Sequence, residues 1–237
     1  IIFTTTPKLS KSSLKTAMDY PEVKILNCSL NISNSHVRTY YTRMYEAKFL
    51  TGIIAGSLTE NDKIGYVADY PIYGTMSNIN AFALGAKLVN PRAKIYLTWE
   101  TLKDHNPRTF FEHNDISYIS NKDMINLGSD NREFGLYQVS NQKVENLAMS
   151  IYHWGVFYKQ IIHSILTKNW KNADTTESGK ALNYWWGMSA GVIELICSKR
   201  VPESTRHLVE TFRQMIQTGN YHPFSGKLYS QTGIIQE

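Results

Sequence analysis

Polar and aromatic residues follow the predicted strands of this chain at the points where a sheet presents side chains to a ligand. Asp69 and Tyr70 come after one short apolar run, and Trp99 and Glu100 close the next run. In parallel sheets, ligands bind beyond the carboxyl ends of the strands. The predicted ligand-binding residues are therefore Thr6, Asn27, Ser29, Asp69, Tyr70, Tyr73, Trp99, Glu100, Asp123, Tyr137 and Trp154.

These residue types suit the recognition of a planar molecule. Aromatic faces stack on planar ligands, and amide or carboxylate edges hydrogen-bond the ligand's heteroatoms and fix its orientation. Structural roles are the alternative at several positions. Asp69 suits a turn or a helix cap, Trp99 suits a core position, and Trp154 lies on the apolar stripe of its own predicted helix. Tyr70 and Tyr73 also suit a cover over the end of a sheet.

Motifs of known catalytic sites do not occur in the sequence. It contains no G-x-S-x-G elbow, no phosphate-binding loop, no G-x-G-x-x-G fingerprint and no H-E-x-x-H pair. The histidines lack the spacing of metal ligands, and His153 and His163 do not share a helical face. The sequence therefore predicts a binding protein and not an enzyme, with no cofactor and no metal.

The stretch Lys63–Glu100 predicts a strand–helix–strand unit. Two short apolar runs, Ile64–Ala68 and Ile95–Trp99, flank a segment in which apolar residues recur at helical spacing. Asn90-Pro91 ends the helix, because a residue before proline avoids the α-helical region. A helix between two such strands implies a parallel pair with a right-handed crossover.

Strands and helices alternate along the rest of the chain, which predicts an α/β fold with mainly parallel sheets. We predict helices over Ser10–Asp19 and Arg38–Leu58, and a further helix that opens at Pro202. Gly52 and Gly56 lie within the second of these helices. Because a helical glycine costs about 1 kcal/mol relative to alanine, we expect a closely packed neighbour there.

Composition indicates a globular protein without nucleic-acid-binding character. The chain has 237 residues, 42% of them hydrophobic and 19% charged, with a net charge of +5. Its lysines and arginines are scattered, whereas a nucleic-acid surface requires a clustered stripe. No apolar run approaches the roughly 20 residues of a membrane span. Cys28 and Cys197 lie in apolar contexts and are predicted to be buried free thiols.

The chain opens inside a predicted strand, with no methionine, signal peptide or leading helix before Ile1. We therefore expect a fragment of a longer protein, whose targeting signal, anchor or upstream domain lies outside this sequence.

A long, ordered set of motifs resembles the basic membrane protein family of substrate-binding proteins, the PnrA-like group. The motifs are Glu46 with Leu50-x-Gly52-x-x-Ala55-Gly56, Lys63-Ile64-Gly65-Tyr66-Val67, Asn80-Ala81-Phe82-x-Leu84-Gly85-Ala86 and Val89-Asn90-Pro91. Weaker similarity continues through Trp154-Gly155 to Phe224-Ser225-Gly226, so that the resemblance extends over nearly the whole chain.

This resemblance implies a type I periplasmic-binding-protein fold. In that fold, two α/β lobes with mainly parallel sheets are joined by crossover strands, and the ligand sits in the cleft between the lobes. The family's N-terminal strand is expected to be missing from this chain. The N-terminal lobe is expected over residues 1–100, with about 182–237 crossing back, and the C-terminal lobe over 101–181.

The resemblance further implies a solute-binding protein that captures a purine nucleobase or nucleoside for an ABC importer. The partner of such a protein is a transporter permease. The protein is then expected at the extracytoplasmic face of the cell membrane, which it contacts only through an upstream lipoprotein anchor. The alternative is a cytoplasmic purine-sensing regulatory domain of a longer protein.

Departures from the family pattern favour a bare base such as adenine over a nucleoside. Many nucleoside-binding members carry an Asp after the second strand, where this chain has Asn27-Cys28-Ser29. The family pattern also has a second Asp near the position that Tyr137 occupies in this chain. It has a Lys at a later strand end, where this chain has the region of Trp154. The acidic groups hold ribose hydroxyls in relatives.

Overall fold

The computed structural model describes residues 1–30, 36–71, 73–102, 106–123, 132–141, 143–170, 183–230 and 233–236. In chain order the strands and α-helices are β1 (Ile2–Thr4), α1 (Ser10–Asp19), β2 (Ile25–Cys28), β3 (Val37–Thr42), α2 (Tyr45–Leu58), β4 (Lys63–Ala68), α3 (Tyr73–Val89), β5 (Lys94–Trp99), α4 (Pro107–His113), β6 (Tyr118–Ser120), β7 (Leu136–Ser140), β8 (Lys143–Tyr152), α5 (Trp154–Leu166), β9 (Asn183–Trp186), β10 (Ile193–Cys197), α6 (Glu203–Gln217), β11 (Leu228–Ser230) and β12 (Gly233–Gln236).

The chain divides into two compact units. The first comprises Ile1–Arg43 with His153–Gly187, and the second comprises Met44–Tyr152 with Met188–Glu237. We predicted that the N-terminal lobe extends to residue 100, and this residue lies inside the second unit. The chain stays in that unit past residue 100 because β6 pairs with β4 and thereby extends the same sheet.

The first unit is built on a wholly parallel sheet in the order β1-β2-β3-β9. Helix α1 packs on one face of this sheet, where Ala17 joins Ile25 and Val37 in a small core cluster. Helix α5 packs on the other face, where Phe157 contacts the rings of Tyr40 and Trp186. Both faces are covered, as is usual for parallel sheets.

The prediction of a single helix over Arg38–Leu58 was wrong in its first part. Val37–Thr42 forms strand β3, and α2 begins only at Tyr45. Residues 37–40 are all buried, because β3 lies between β2 and β9 with a helix on each face. A strand buried on both faces does not show the alternation that distinguishes a strand from a helix by pattern alone.

The second unit contains a mixed sheet in the order β10-β8-β7-β6-β4-β5. Strands β5, β4 and β6 run parallel, and β7, β8 and β10 continue the sheet in antiparallel pairs. The predicted strand–helix–strand unit is confirmed, since β4 and β5 pair in parallel from Lys63↔Lys94 to Ala68↔Trp99 and α3 connects them. The predicted α/β class with parallel sheets is likewise confirmed.

Helices α2 and α3 approach each other backbone to backbone. A Cβ atom added to Gly52 would lie 2.1 Å from the carbonyl oxygen of Phe82, and one added to Gly85 would lie 2.0 Å from that of Phe49. Only glycine fits at such distances. The close approach predicted from Gly52 and Gly56 is therefore confirmed.

Within the described part of the chain, no helix has the length and apolar character needed to cross a membrane.

Candidate ligand-binding site

A row of polar side chains crosses the sheet of the first unit on the face that α1 covers. The strand register aligns Thr4 with Asn27, Asn27 with Thr39, and Thr39 with Asn183. The Asn27 amide donates hydrogen bonds to the Thr4 hydroxyl at 2.6 Å and to the Thr6 carbonyl at 3.1 Å. These bonds fix the orientation of the Asn27 side chain, which is completely buried.

Polar atoms near the carboxyl ends of these strands are buried and lack a hydrogen-bond partner among the described residues. They are Asn27 Oδ1, Ser29 Oγ and Thr42 Oγ1. Ser29 directly follows β2, and Thr42 is the last residue of β3. Because a buried polar atom that makes no hydrogen bond costs about 1–3 kcal/mol, such atoms are suited to receive a polar group of a bound molecule.

An aromatic cluster fills the opposite face of the same sheet, under α5. Its members are Phe3, Tyr40, Trp154, Phe157, Tyr158, Tyr184 and Trp186. Trp154 and Tyr158, one helical turn apart, present nearly parallel rings with centroids 6.3 Å apart and an interplanar angle of 19°. The Tyr40 ring packs edge-on against both, at 5.4 Å from Trp154 and 6.0 Å from Tyr158.

Tyr40 connects this cluster to the carboxyl end of β1. Its hydroxyl donates to the Thr4 carbonyl at 3.2 Å and lies 3.2 Å from the Tyr158 hydroxyl. Burial, followed by the hydrogen bond with Tyr158, raises the pKa of Tyr40 far above its usual range. The Tyr40 hydroxyl is therefore uncharged at neutral pH.

The predicted ligand-binding residues include Trp154 but not its ring neighbours Tyr40 and Tyr158. Tyr158 lies four residues after Trp154, and this spacing places two side chains on one face of a helix. The four-residue spacing could therefore have predicted Tyr158 as a neighbour of Trp154. Tyr40 was missed because the segment containing it was assigned to a helix and not to β3.

An ionic cluster joins the carboxyl ends of the three parallel strands in the second unit. Lys122, which follows β6, lies with its Nζ atom 3.0 Å from Asp69 Oδ1 and also forms an ion pair with Glu100. Asp69 follows β4 and Glu100 follows β5. Two predicted ligand-binding carboxylates thus come together, as expected from strand ends that meet at one sheet edge.

Asp123 lies deeper in the second unit and is engaged by protein groups. Its Oδ2 atom is 2.6 Å from Lys48 Nζ, and its Oδ1 atom accepts a hydrogen bond from the backbone N–H of Ser150 at 2.9 Å. Lys48 also donates to the Asn121 carbonyl at 3.1 Å. These contacts describe a buried structural ion pair.

The remaining predicted residues occupy varied environments. Tyr70 is 62% exposed beside Asp69, whereas Trp99 ends β5 and packs partly against the core. Tyr137 is 3% exposed within a core cluster, and burial followed by the charge of Glu133 raises its pKa. Tyr73 is the first residue of α3, and its side chain lies outside what is described.

The predicted residue Thr6 caps the short turn Pro7–Leu9. Its hydroxyl accepts a hydrogen bond from the Lys8 backbone N–H at 3.4 Å, while its carbonyl holds the Asn27 amide. Thr6 therefore positions Asn27 in addition to capping this turn.

Across the described residues, no group of three or more His, Cys, Asp or Glu side chains is arranged to hold a metal ion. The arrangement offers aromatic faces, buried amide and hydroxyl groups, and exposed carboxylates at strand ends. Aromatic faces with a few placed polar groups are usual in sites that bind small molecules. The fold is α/β, and the groups within each unit suit the binding of a ligand.

The chain is similar to ABC transporter substrate-binding proteins of the PnrA-like type. The model of that family, Bmp, matches residues 1–108. A purine-binding protein of Brucella abortus is 24% identical over 98% of this chain and 68% of its own length. A putative ABC transporter glucose-binding protein of Haloferax volcanii is 29% identical over 81% of this chain. The resemblance seen in the motifs is therefore confirmed.

Solved structures support the same fold. An ABC transporter solute-binding protein from Conexibacter woesei superposes with a TM-score of 0.63 at 14% identity, over 93% of this chain and 78% of that chain. The fold is thus that of the periplasmic-binding-protein class. This chain spans about two thirds of the length of the Brucella protein and half the length of the Haloferax protein.

Proposed function

We propose that this protein binds a purine, as a free base or a nucleoside, and delivers it to an ABC importer. The observation that carries the proposal is the pair of nearly parallel rings of Trp154 and Tyr158, 6.3 Å apart at the start of α5. Both rings keep part of their surface exposed. Aromatic faces of this kind stack on nucleobases, and base–aromatic stacking contributes about 1–3 kcal/mol per base.

Polar recognition of the base is assigned to the neutral groups of the first unit. Asn27 Oδ1 and Ser29 Oγ are buried atoms without a hydrogen-bond partner among the described residues, and they suit the edge of a heterocycle. Because they lie on the sheet face opposite Trp154, we propose that they meet the base beyond the carboxyl ends of the strands, where the two faces join. Asp69, Glu100 and Tyr70, which belong to the second unit, stay predictions. Tyr73 and Trp99 stay predictions, and Tyr137 and Asp123 are held within their own core environments.

A bare base is the favoured ligand. In relatives of the family, carboxylates are expected to hold the ribose hydroxyls, and this chain has the amide of Asn27 where one of them is expected. A neutral amide pairs with donor and acceptor edges of a base but gives up the charge-assisted hydrogen bonds that a carboxylate makes with a diol.

The proposed role is binding and not catalysis, and it places the protein with a permease at the extracytoplasmic face of the membrane. Similarity to ABC transporter substrate-binding proteins over residues 1–108 supports this location and partner. The Brucella relative is named for purine binding and is similar over nearly the whole chain. That similarity supports a purine over other solutes.

A thermal-shift screen tests the ligand class. Adenine, guanine, adenosine, guanosine and glucose are each added to the purified protein, since a ligand that binds only the folded state raises its melting temperature by mass action. We expect a rise with a purine base, a smaller rise with its nucleoside, and no change with glucose. A rise with glucose alone contradicts the proposal, as does the absence of a rise with every purine.

A further inference from the structure

Two tyrosine hydroxyls form a hydrogen-bonded chain that starts at the last residue of β1. The Tyr40 hydroxyl lies 3.2 Å from the Thr4 carbonyl oxygen and 3.2 Å from the Tyr158 hydroxyl. All three residues belong to the first unit. Among the described residues, the Tyr158 hydroxyl makes no other hydrogen bond, so that it forms the outer end of this chain.

The direction of the chain follows from its donors and acceptors. A carbonyl oxygen can only accept, so Tyr40 gives its single proton to Thr4. Burial raises the pKa of Tyr40 far above its usual range, and the phenol therefore keeps this proton at neutral pH. Because the Tyr40 proton is committed to Thr4, Tyr158 is the donor in the contact between the two hydroxyls. The Tyr158 oxygen thus keeps a lone pair for a ligand and has no proton to offer.

Ring packing holds the Tyr158 side chain in place independently of this chain. The Tyr158 ring centroid lies 4.5 Å from that of Phe3 and 5.8 Å from that of Phe157. The Tyr40 ring stacks on Phe157 at 4.8 Å and is buried. Removing the Tyr40 hydroxyl therefore releases the Tyr158 proton while these ring contacts remain.

We propose that Tyr40 fixes the Tyr158 hydroxyl as a hydrogen-bond acceptor, and that the protein thereby selects purines that carry an exocyclic amino group. The inference rests on the proposed function, in which the base stacks at the rings of Trp154 and Tyr158. Tyr158 is partly exposed, and its oxygen is a polar atom of that ring pair. An amino group donates to this oxygen, whereas an oxygen substituent meets it lone pair to lone pair and leaves both acceptors unsatisfied.

The test compares the binding of adenine and 6-methoxypurine by calorimetry at neutral pH. The second ligand carries an oxygen in place of the amino group and, unlike hypoxanthine, has no proton on N1 that could donate instead. Unsubstituted purine, which has neither group, separates a gain from the amino group from a clash with the methoxy group. The readout is the ratio of the affinities for adenine and for 6-methoxypurine, because a general loss of stacking weakens both ligands together.

Three variants locate the effect. Tyr40→Phe releases the Tyr158 proton, so it should strengthen 6-methoxypurine binding and lower the ratio by about fivefold, the size of one hydrogen bond. Tyr158→Phe keeps a stacking ring but removes the acceptor, so it should lower the ratio through weaker adenine binding alone. Tyr184→Phe is the matched control, because the hydroxyl it removes belongs to the same aromatic cluster but accepts from Arg38 at 2.6 Å. It should keep the wild-type ratio.

The outcomes separate this inference from the proposed function. If wild-type protein binds purines without preferring adenine over 6-methoxypurine and unsubstituted purine, or if folded Tyr40→Phe keeps the wild-type ratio, the acceptor role is wrong and purine binding stands. Should Tyr40→Phe fail to fold, an unchanged ratio in Tyr158→Phe overturns the inference. If wild-type protein binds no purine at all, the proposed function fails, and the selection of amino purines fails with it.

Discussion

Lys48 Nζ lies 2.6 Å from Asp123 Oδ2, and the two side chains are only 6% and 7% exposed. Lys48 belongs to α2 and Asp123 follows β6, so this buried ion pair ties a core helix to the end of a strand. The Ser150 N–H completes the hydrogen bonding of the carboxylate from β8. Asp123 therefore acts within the second unit as a structural anchor.

Removing one partner of this pair should strongly destabilise the protein. Lys48→Met leaves a buried carboxylate without its counter-ion, and the loss of one member of a buried pair costs about 3–5 kcal/mol. Equilibrium unfolding in urea measures the change. The double variant Lys48→Met/Asp123→Leu removes both charges and should recover part of the loss. A cost below about 1 kcal/mol for Lys48→Met alone would show that the pair is solvated.

Gly52→Ala should destabilise the packing of α2 against α3. The new methyl group would lie 2.1 Å from the Phe82 carbonyl oxygen, so the helices must separate. We expect a loss of about 2 kcal/mol or more, as for other overpacked cores. Gly155→Ala is the control, because a Cβ atom there meets nothing within 4 Å. Equal unfolding midpoints for the two variants would contradict the close approach.

Cys28 should react slowly with alkylating reagents at neutral pH. Burial raises the pKa of its thiol to about 11, and the thiolate is the reactive form. In a Cys197→Ser background, the rate of iodoacetamide labelling should still rise about tenfold per pH unit at about pH 9.5, whereas the rate of an ordinary thiol with a pKa of about 8.5 is then close to its plateau. Labelling whose rate levels off by about pH 9.5 would contradict the raised pKa.

The sequence predicted the parts of the fold whose patterns are local. The β4–α3–β5 unit follows from two apolar runs and a helical period, and α1 was predicted at Ser10–Asp19 with the bounds that the structure shows. Strand β3 was not predicted, because its burial on both faces depends on β2, β9 and two helices from elsewhere in the chain.

For the candidate site, strand ends could be located from the sequence but side-chain partners could not. Asp69 and Glu100 were expected at one sheet edge and lie there, yet Lys122 between them was not foreseen. Asp123 shows the converse: its position after a strand suggested a ligand contact, while its ion pair depends on Lys48, far away in sequence. Such pairings are set by tertiary packing and carry no local signal.

Trp154→Ala should weaken purine binding, because the stacking face at the start of α5 is lost. We expect about a tenfold loss of affinity, equivalent to about 1.4 kcal/mol of base stacking. Val156→Ala is a suitable control on the same helix, since its partly exposed side chain is not assigned to the ligand. Equal affinities of the two variants would remove Trp154 from the binding site.

Calorimetric titration of the wild-type protein with adenine tests the central claim most directly. Purine capture predicts saturable binding of one adenine per chain, tighter than that of adenosine, with no heat of binding for glucose under the same conditions. Absence of adenine binding to folded protein, or binding of glucose in its place, would contradict the assignment of a purine as the ligand.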